Sequence, residues 1–177
     1  MTIDVQLRQC TPGDAPALAL AGQATFLETF AGILPGPAIV THCARAHSAA
    51  HYDAWLADPA YRMWLAEAAN GAAPVGIMVV GPAELDVADL SERDLELKRI
   101  YLLSRFHGGG VGRQLLHEAL NYCRERGAAR LLLGVYAKND AAIGFYQRCG
   151  FTKVGTRKFK VGEQYFDDFI MGLPLEK

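Results

Sequence analysis

Cysteine is scarce in this 177-residue chain. Its four residues, Cys10, Cys43, Cys123 and Cys149, form no Cys-x-x-Cys pair. That excludes a disulfide framework and a thiolate zinc site, and reduced, mostly buried thiols are expected. Long apolar runs are lacking too. None reaches the about 18 residues of a spanning helix. Residues 1–8 lack the charged-then-apolar order of a leader peptide. The expectation is a cytoplasmic protein with no membrane partner. An excess of one charge is also missing, since 18 Lys and Arg oppose 19 Asp and Glu. That argues against a nucleic-acid partner held by bulk positive charge. Internal repeats, low-complexity tracts and domain-splitting linkers do not occur.

What is present is apolar mass, with 51% hydrophobic against 21% charged residues. This is enough for one well-buried core, and a single domain over residues 1–177 is expected. Alternation at Ile3, Val5 and Leu7 predicts a first strand over 3–9. Thr11-Pro12 reads as a helix start, with Thr11 as N-cap and Pro12 at the first helical position. That helix runs to Phe30, and helices over 37–47 and 49–57 follow. Strands over 61–68 and 74–80 flank an Asn70-Gly71 turn. A polar, acidic loop precedes a long strand over 95–103. Val111, Leu115, Ala119 and Cys123 make one apolar stripe of a helix that Gly127 ends. Residues 130–136 read as a strand buried on both faces. A helix capped by Asn139 and a closing hairpin around Gly162 complete the chain. The pattern is α/β with a mixed sheet.

Between the strand over 95–103 and the following helix lies His107-Gly108-Gly109-Gly110-Val111-Gly112. Glycines let a ligand approach the backbone, and a helix start offers free N–H groups and a positive dipole end. This is a phosphate-binding device. A Walker A loop requires Gly-Lys-Ser/Thr, whereas Arg113-Gln114 follow Gly112 here. The dinucleotide pattern Gly-x-Gly-x-x-Gly fails at Arg113 or Leu115, depending on its start.

The stretch 95–116 resembles the pyrophosphate motif of the GNAT acyl-CoA N-acyltransferases, Gln/Arg-x-x-Gly-x-Gly/Ala, with His107 in the opening position. The stretch 139–151 resembles their second motif, Asn-x-x-Ala-x-x-Phe-Tyr-x-x-x-Gly-Phe. It matches at Asn139, Ala142, Phe145, Tyr146, Gly150 and Phe151. The resemblance implies a β-α-α-β-β-β-α-β-α-β-β domain and acetyl-CoA as co-substrate. Within the superfamily, 25–30, 133–139 and 162–171 resemble the bacterial polyamine-type N-acetyltransferases, although Tyr165-Phe166 before Asp167 departs from that pattern.

What the resemblance implies can be set against the chemistry. Transfer from thioester to amine needs an anchored cofactor, a deprotonated amine, an oxyanion donor and a proton for the leaving thiolate. The pyrophosphate falls to His107, Gly108, Gly109, Gly110, Val111, Gly112 and Arg113. Ile100, Tyr101 and Leu102 would pair with the pantetheine arm as an added strand does. Asn139, Ala142, Phe145 and Tyr146 complete the cofactor set. Tyr146 is the expected general acid. Glu96 is either the base or a solvent-facing carboxylate, and both readings stay open. Glu28 and Phe30 are expected to bind the amine. The acidic residues between Glu84 and Glu96 could attract a cation or simply be solvated. The His107 side chain is expected in solvent. His47 and His51, four apart, could share a helix face, but no metal is expected.

The function expected is acetyl transfer from acetyl-CoA to a primary amine of a small molecule, a polyamine being one case. The alternatives are a protein N-terminus, an antibiotic amine, or a non-catalytic acyl-CoA sensor. The expected partners are a small amine and, in a homodimer, a second copy.

Overall fold

Residues 3–175 are described by a computed structural model. Their order is β1 (Val5–Gln9), α1 (Ala15–Phe30), α2 (Gly36–Ala46), α3 (Ala49–Ala57), β2 (Arg62–Ala68), β3 (Pro74–Pro82), β4 (Asp94–Leu102), α4 (Val111–Glu125), β5 (Arg130–Tyr136), α5 (Asp140–Arg148), β6 (Thr152–Val161) and β7 (Gln164–Pro174). A 3-10 turn, Ser104–Phe106, follows β4. The strands form one mixed seven-stranded sheet, ordered β1-β2-β3-β4-β5-β7-β6. The α/β mixed class expected from the sequence is the one observed. Two compact units can be distinguished, Met1–Val79 with Arg99–His117, and Val80–Lys98 with Glu118–Lys177.

The first unit holds α1, α2 and α3. Its core joins Leu18, Tyr52, Leu65, Ile77 and Val79, with Trp55 and Tyr101 packed against them. The α1 start differs from the expectation, because Asp14, not Thr11, occupies the N-cap. Gly13 at φ 102 makes the turn before it. The Asp14 carboxylate takes the Thr11 N–H at 2.7 Å and both ends of the Arg8 fork at 2.9 Å. That bidentate charge-assisted pair holds the Asp14 side chain, which makes no capping bond to the helix N–H groups. Pro12 accordingly precedes the helix, and the proline in its first turn is Pro16. The Asn70-Gly71 turn forms as expected, with Gly71 at φ 84 and Ala72 at φ 53.

In the second unit, Leu131, Leu132 and Leu133 of β5 are almost wholly buried, as a strand covered on both faces requires. The strand β5 pairs antiparallel with β7 along its whole length. With β4 it pairs in parallel over only three residue pairs, Asp94–Arg130, Leu95–Leu131 and Glu96–Leu132. The hairpin of β6 and β7 carries a register shift between Lys153 and Gly155. Its turn passes through Gly162 at φ 61.

Candidate active site

In the first unit, β4 leads through the 3-10 turn into the glycine run. Gly108 and Gly110 hold φ of 83 and 82, a region that side chains other than glycine rarely adopt. Glycines 108–110 are exposed, and a Cβ on any of them would meet no atom within 4 Å. Open space therefore lies over this backbone. The Gly110 carbonyl accepts the Gln114 N–H at 3.0 Å, which sets the first turn of α4. The N–H groups of Val111, Gly112 and Arg113 have no intrahelical acceptor and sit at the positive end of a 15-residue helix. This arrangement suits a pyrophosphate.

His107 is exposed, as expected, and its side chain also makes a bond. Its Nε2 donates to the Leu102 carbonyl at 2.7 Å, which places the proton on Nε2 and closes the loop from 102 to 107. Glu28 has a structural partner of its own. One oxygen takes the Ser104 N–H at 2.9 Å and the other takes its hydroxyl at 2.7 Å. These bonds hold the carboxyl below its ordinary pKa. The Glu28 carboxylate thus fixes the 3-10 turn that introduces the glycine loop. Phe30 packs on Phe26 with ring centroids 4.5 Å apart.

The second unit contains Glu96 and Tyr146. Glu96 is not solvent-facing, being 6% exposed. Its Oε2 accepts the Glu84 backbone N–H at 3.0 Å and pairs with Lys98 Nζ at 2.9 Å. Lys98 also reaches Glu84 at 2.6 Å. Arg130 pairs with Asp94 at 2.9 Å and Asp89 at 3.0 Å. Much of the acidic stretch between β3 and β4 is thus matched by fixed cations. Tyr146 is buried in α5, edge-on to Phe145 and Phe151 at 5.4 and 5.7 Å. Asn139 caps that helix as expected, its Oδ1 accepting the Ala142 N–H at 3.2 Å.

A cluster around Arg99 escaped the sequence reading. Arg99 projects from β4 towards α2 and α3. Its Nη1 donates to Tyr52 Oη at 2.6 Å and to His47 Nδ1 at 3.2 Å, while Tyr52 Oη and His47 Nδ1 lie 2.8 Å apart. A guanidinium only donates, so His47 Nδ1 carries no proton and the Tyr52 hydroxyl donates to it. Burial, with the Arg99 charge second, drives the His47 pKa down to about 2. The same causes push His42 to about 4 and lower His51. His42 stacks on Phe26 at 4.4 Å. His47 and His51 do not share a helix face, because α2 ends at Ala46 and Ser48 caps α3 through the His51 N–H. Among the described residues, no group of three or more His, Cys, Asp or Glu is placed to hold a metal. The available signal was Arg99 itself, the one charge in a strand parity otherwise made of Leu95, Leu97 and Tyr101.

Of the cysteines, Cys10 and Cys123 are buried and desolvation raises both thiols to about 12. No described helix is long and apolar enough to cross a membrane.

The glycine loop and the segment 139–151 around α5 have counterparts in known proteins. A relative from Mycobacterium bovis, an uncharacterized N-acetyltransferase, is 41% identical over 93 residues, 52% of this chain and 58% of the relative. The chain thus spans little more than half the length of the curated relatives it matches. The PaiA N-acetyltransferase of Thermoplasma acidophilum, solved with coenzyme A, superposes with a TM-score of 0.78. It is 20% identical, over 97% of this chain and 99% of that one. YncA of Salmonella typhimurium, solved with its cofactor acetyl-CoA, gives 0.74 at 21% identity, over 98% and 95%. The model of the acetyltransferase (GNAT) family matches residues 33–151, which takes in the glycine loop, β4, β5 and α5, and this chain belongs to that family.

Proposed function

We propose that this chain transfers the acetyl group of acetyl-CoA to a primary amine of a small molecule, by direct attack while both substrates are bound. The observation that carries this reading is the exposed glycine backbone, open to a ligand, running into the first-turn N–H groups of α4, which have no intrahelical acceptor. The donor supplies an activated thioester. Backbone N–H groups of 108–113 would hold its diphosphate. The ladder between β4 and β5 uses three of the nine residues of β4. The backbone at Ile100 and Tyr101 would serve the pantetheine arm as a strand edge. At Leu102 the carbonyl already accepts His107, so its N–H is the group left for that pairing.

Tyr146 would give a proton to the departing thiolate, and its burial would keep that proton transfer away from bulk water. Glu96 would take the proton from the amine, directly or through a water. Lys98 Nζ lies 2.9 Å from the Glu96 Oε2 and holds the carboxylate in place. Asn139, Ala142 and Phe145 would flank the arm from α5. A polyamine acceptor, the case implied by the subfamily resemblance, needs carboxylates free to take ammonium groups. Glu28, Glu84, Asp89 and Asp94 already hold partners, so the geometry supports the broader reading, a small primary amine.

The test is release of free CoA thiol from acetyl-CoA with a panel of spermidine, putrescine, amino acids, a peptide with a free N-terminus and an aminoglycoside. Turnover with small amines supports the proposal. Turnover with the peptide alone transfers the reading to a protein N-terminus. Binding of acetyl-CoA with no turnover on any amine supports a sensor instead.

A further inference from the structure

The Arg99 guanidinium is half-buried, and among the described residues no carboxylate pairs with it. Its two hydrogen bonds both leave from Nη1. Its plane lies near two aromatic faces, with the guanidinium carbon 5.1 Å from the Tyr52 ring centroid and 4.8 Å from that of Trp55. The Nε and Nη2 edge, with three N–H groups, has no acceptor among the described residues. Burying a cation without a counter-charge is costly, and aromatic faces recover only part of that cost. A second polar atom of the same cluster is unsatisfied. His51 Nε2 is buried without a hydrogen-bond partner among the described residues, on a ring 4.4 Å from Trp55 and edge-on to it.

The parallel N–H groups on the Nε and Nη2 edge match the two oxygens of a carboxylate. The surrounding imidazoles are neutral, so nothing near the guanidinium competes for that anion. Tyr52 and His47 fix Nη1, which orients the free edge in advance. Arg99 immediately precedes Ile100 on β4, where the pantetheine arm is proposed to run. Of the donor's anions, the diphosphate is assigned to the glycine loop, and the ribose phosphate lies on the nucleotide side of that diphosphate, away from the arm, which itself carries no anion. That leaves the acceptor as the source of the carboxylate.

We propose that Arg99 binds a carboxylate of the acceptor, so that the amine acetylated is amino-acid-like, carrying both groups, rather than a polyamine. This rests on the acetyltransferase reading above and names its substrate class.

The experiment compares matched amines with and without the carboxylate: L-lysine with cadaverine, L-phenylalanine with phenethylamine, L-methionine with 3-methylthiopropylamine, and spermidine alongside. Thiol release is expected to favour a carboxylate-bearing member by about tenfold to a hundredfold in kcat/KM. In Arg99→Met that ratio is expected to fall to near one, with the change in KM. In Arg99→Lys, which keeps the charge but loses the fork and is the safer variant for folding, it falls part of the way. Equal rates within every pair, a preference for the plain amines or spermidine, or an unchanged ratio in both variants overturns the proposal. Calorimetric titration of the N-acetylated amino acids into the CoA-saturated protein reads the site without turnover. Binding in the wild type that is lost in Arg99→Met supports it, and no binding of any of them overturns it. Thermal stabilisation by acetyl-CoA alone reports the acetyltransferase reading separately, so the two failures are distinguishable.

Discussion

Glu96 lies in β4 between a backbone donor and an ammonium, and each contact has its own consequence. The Lys98 ammonium pairs with the carboxylate, and the Glu84 N–H bonds the same oxygen. Glu96→Gln keeps an oxygen for the N–H and loses the charge. If Glu96 is the base, kcat falls about a hundredfold and the acidic limb of the pH–rate profile disappears, while KM for acetyl-CoA stays the same. A merely structural Glu96 shows a lower melting temperature with the limb intact. Tyr146 is a simpler case. Phe fits a site built from Phe145 and Phe151, so Tyr146→Phe is expected to fold normally. Thiol release should drop about tenfold to a hundredfold, a modest loss because a thiol is already a fair leaving group. The residue types of this site could be read in sequence, whereas their partners could not. The sequence offers Glu28 as an ammonium ligand, and only the fold adds that Ser104, 76 residues away, donates to both of its oxygens.

At the level of elements, glycine and capping residues behave in two ways. Asn139 was visible as a cap, because capping is a relation across three residues. Asn139→Ala should cost about 1 kcal/mol in urea unfolding, and Asn139→Asp should restore it. Gly22 could not have been understood locally. Replacing a glycine inside a helix such as α1 with alanine ordinarily stabilises by about 1 kcal/mol. Here a Cβ would collide with His47 Nδ1 and lie 2.7 Å from Tyr52 Oη. The sign should therefore reverse, with Gly22→Ala costing about 1–3 kcal/mol in the same measurement. The strand and helix spans were mostly legible for the reason Asn139 was. Periodicity and turn residues act over a few positions, which is how β5 and α3 were placed at their observed bounds. The α1 start differs from the expected one: Asp14 stands at its N-cap, with its carboxylate held by Arg8, which lies on another element.

For the molecule as a whole, the histidine cluster predicts how stability responds to acid. His47 and His42 are held neutral, with pKa values of about 2 and about 4, against an ordinary value of 6.5. Between those values the unfolded chain binds more protons than the folded one, so stability rises with pH. The contribution is fully present above pH 6.5. It is lost as pH falls through 6.5, continuing to about 4 for His42 and about 2 for His47. At pH 5 each imidazole should cost about 2 kcal/mol at most relative to neutral pH. Melting temperatures recorded between pH 8 and pH 5 should fall steeply, and less so in His42→Gln. Saturating acetyl-CoA should raise the melting temperature, by about 2.7 kcal/mol of stabilisation at a hundredfold excess over Kd. A glycine loop that holds no diphosphate would leave the melting temperature where it was.

The sequence by itself determined the class of the fold, the order of its elements, the glycine device before α4 and the family motifs. All of these are written in residue types at short, fixed spacing. Only the tertiary structure decided which charges are engaged. Lys98 holds Glu96 and Glu84, Ser104 holds Glu28, and Tyr52 with His47 orients one edge of Arg99 and leaves the other free. Arg99 and Tyr52 are 47 positions apart. No local pattern records such a meeting, because it is made when α3 packs on the sheet and burial removes the water that would otherwise have served each group.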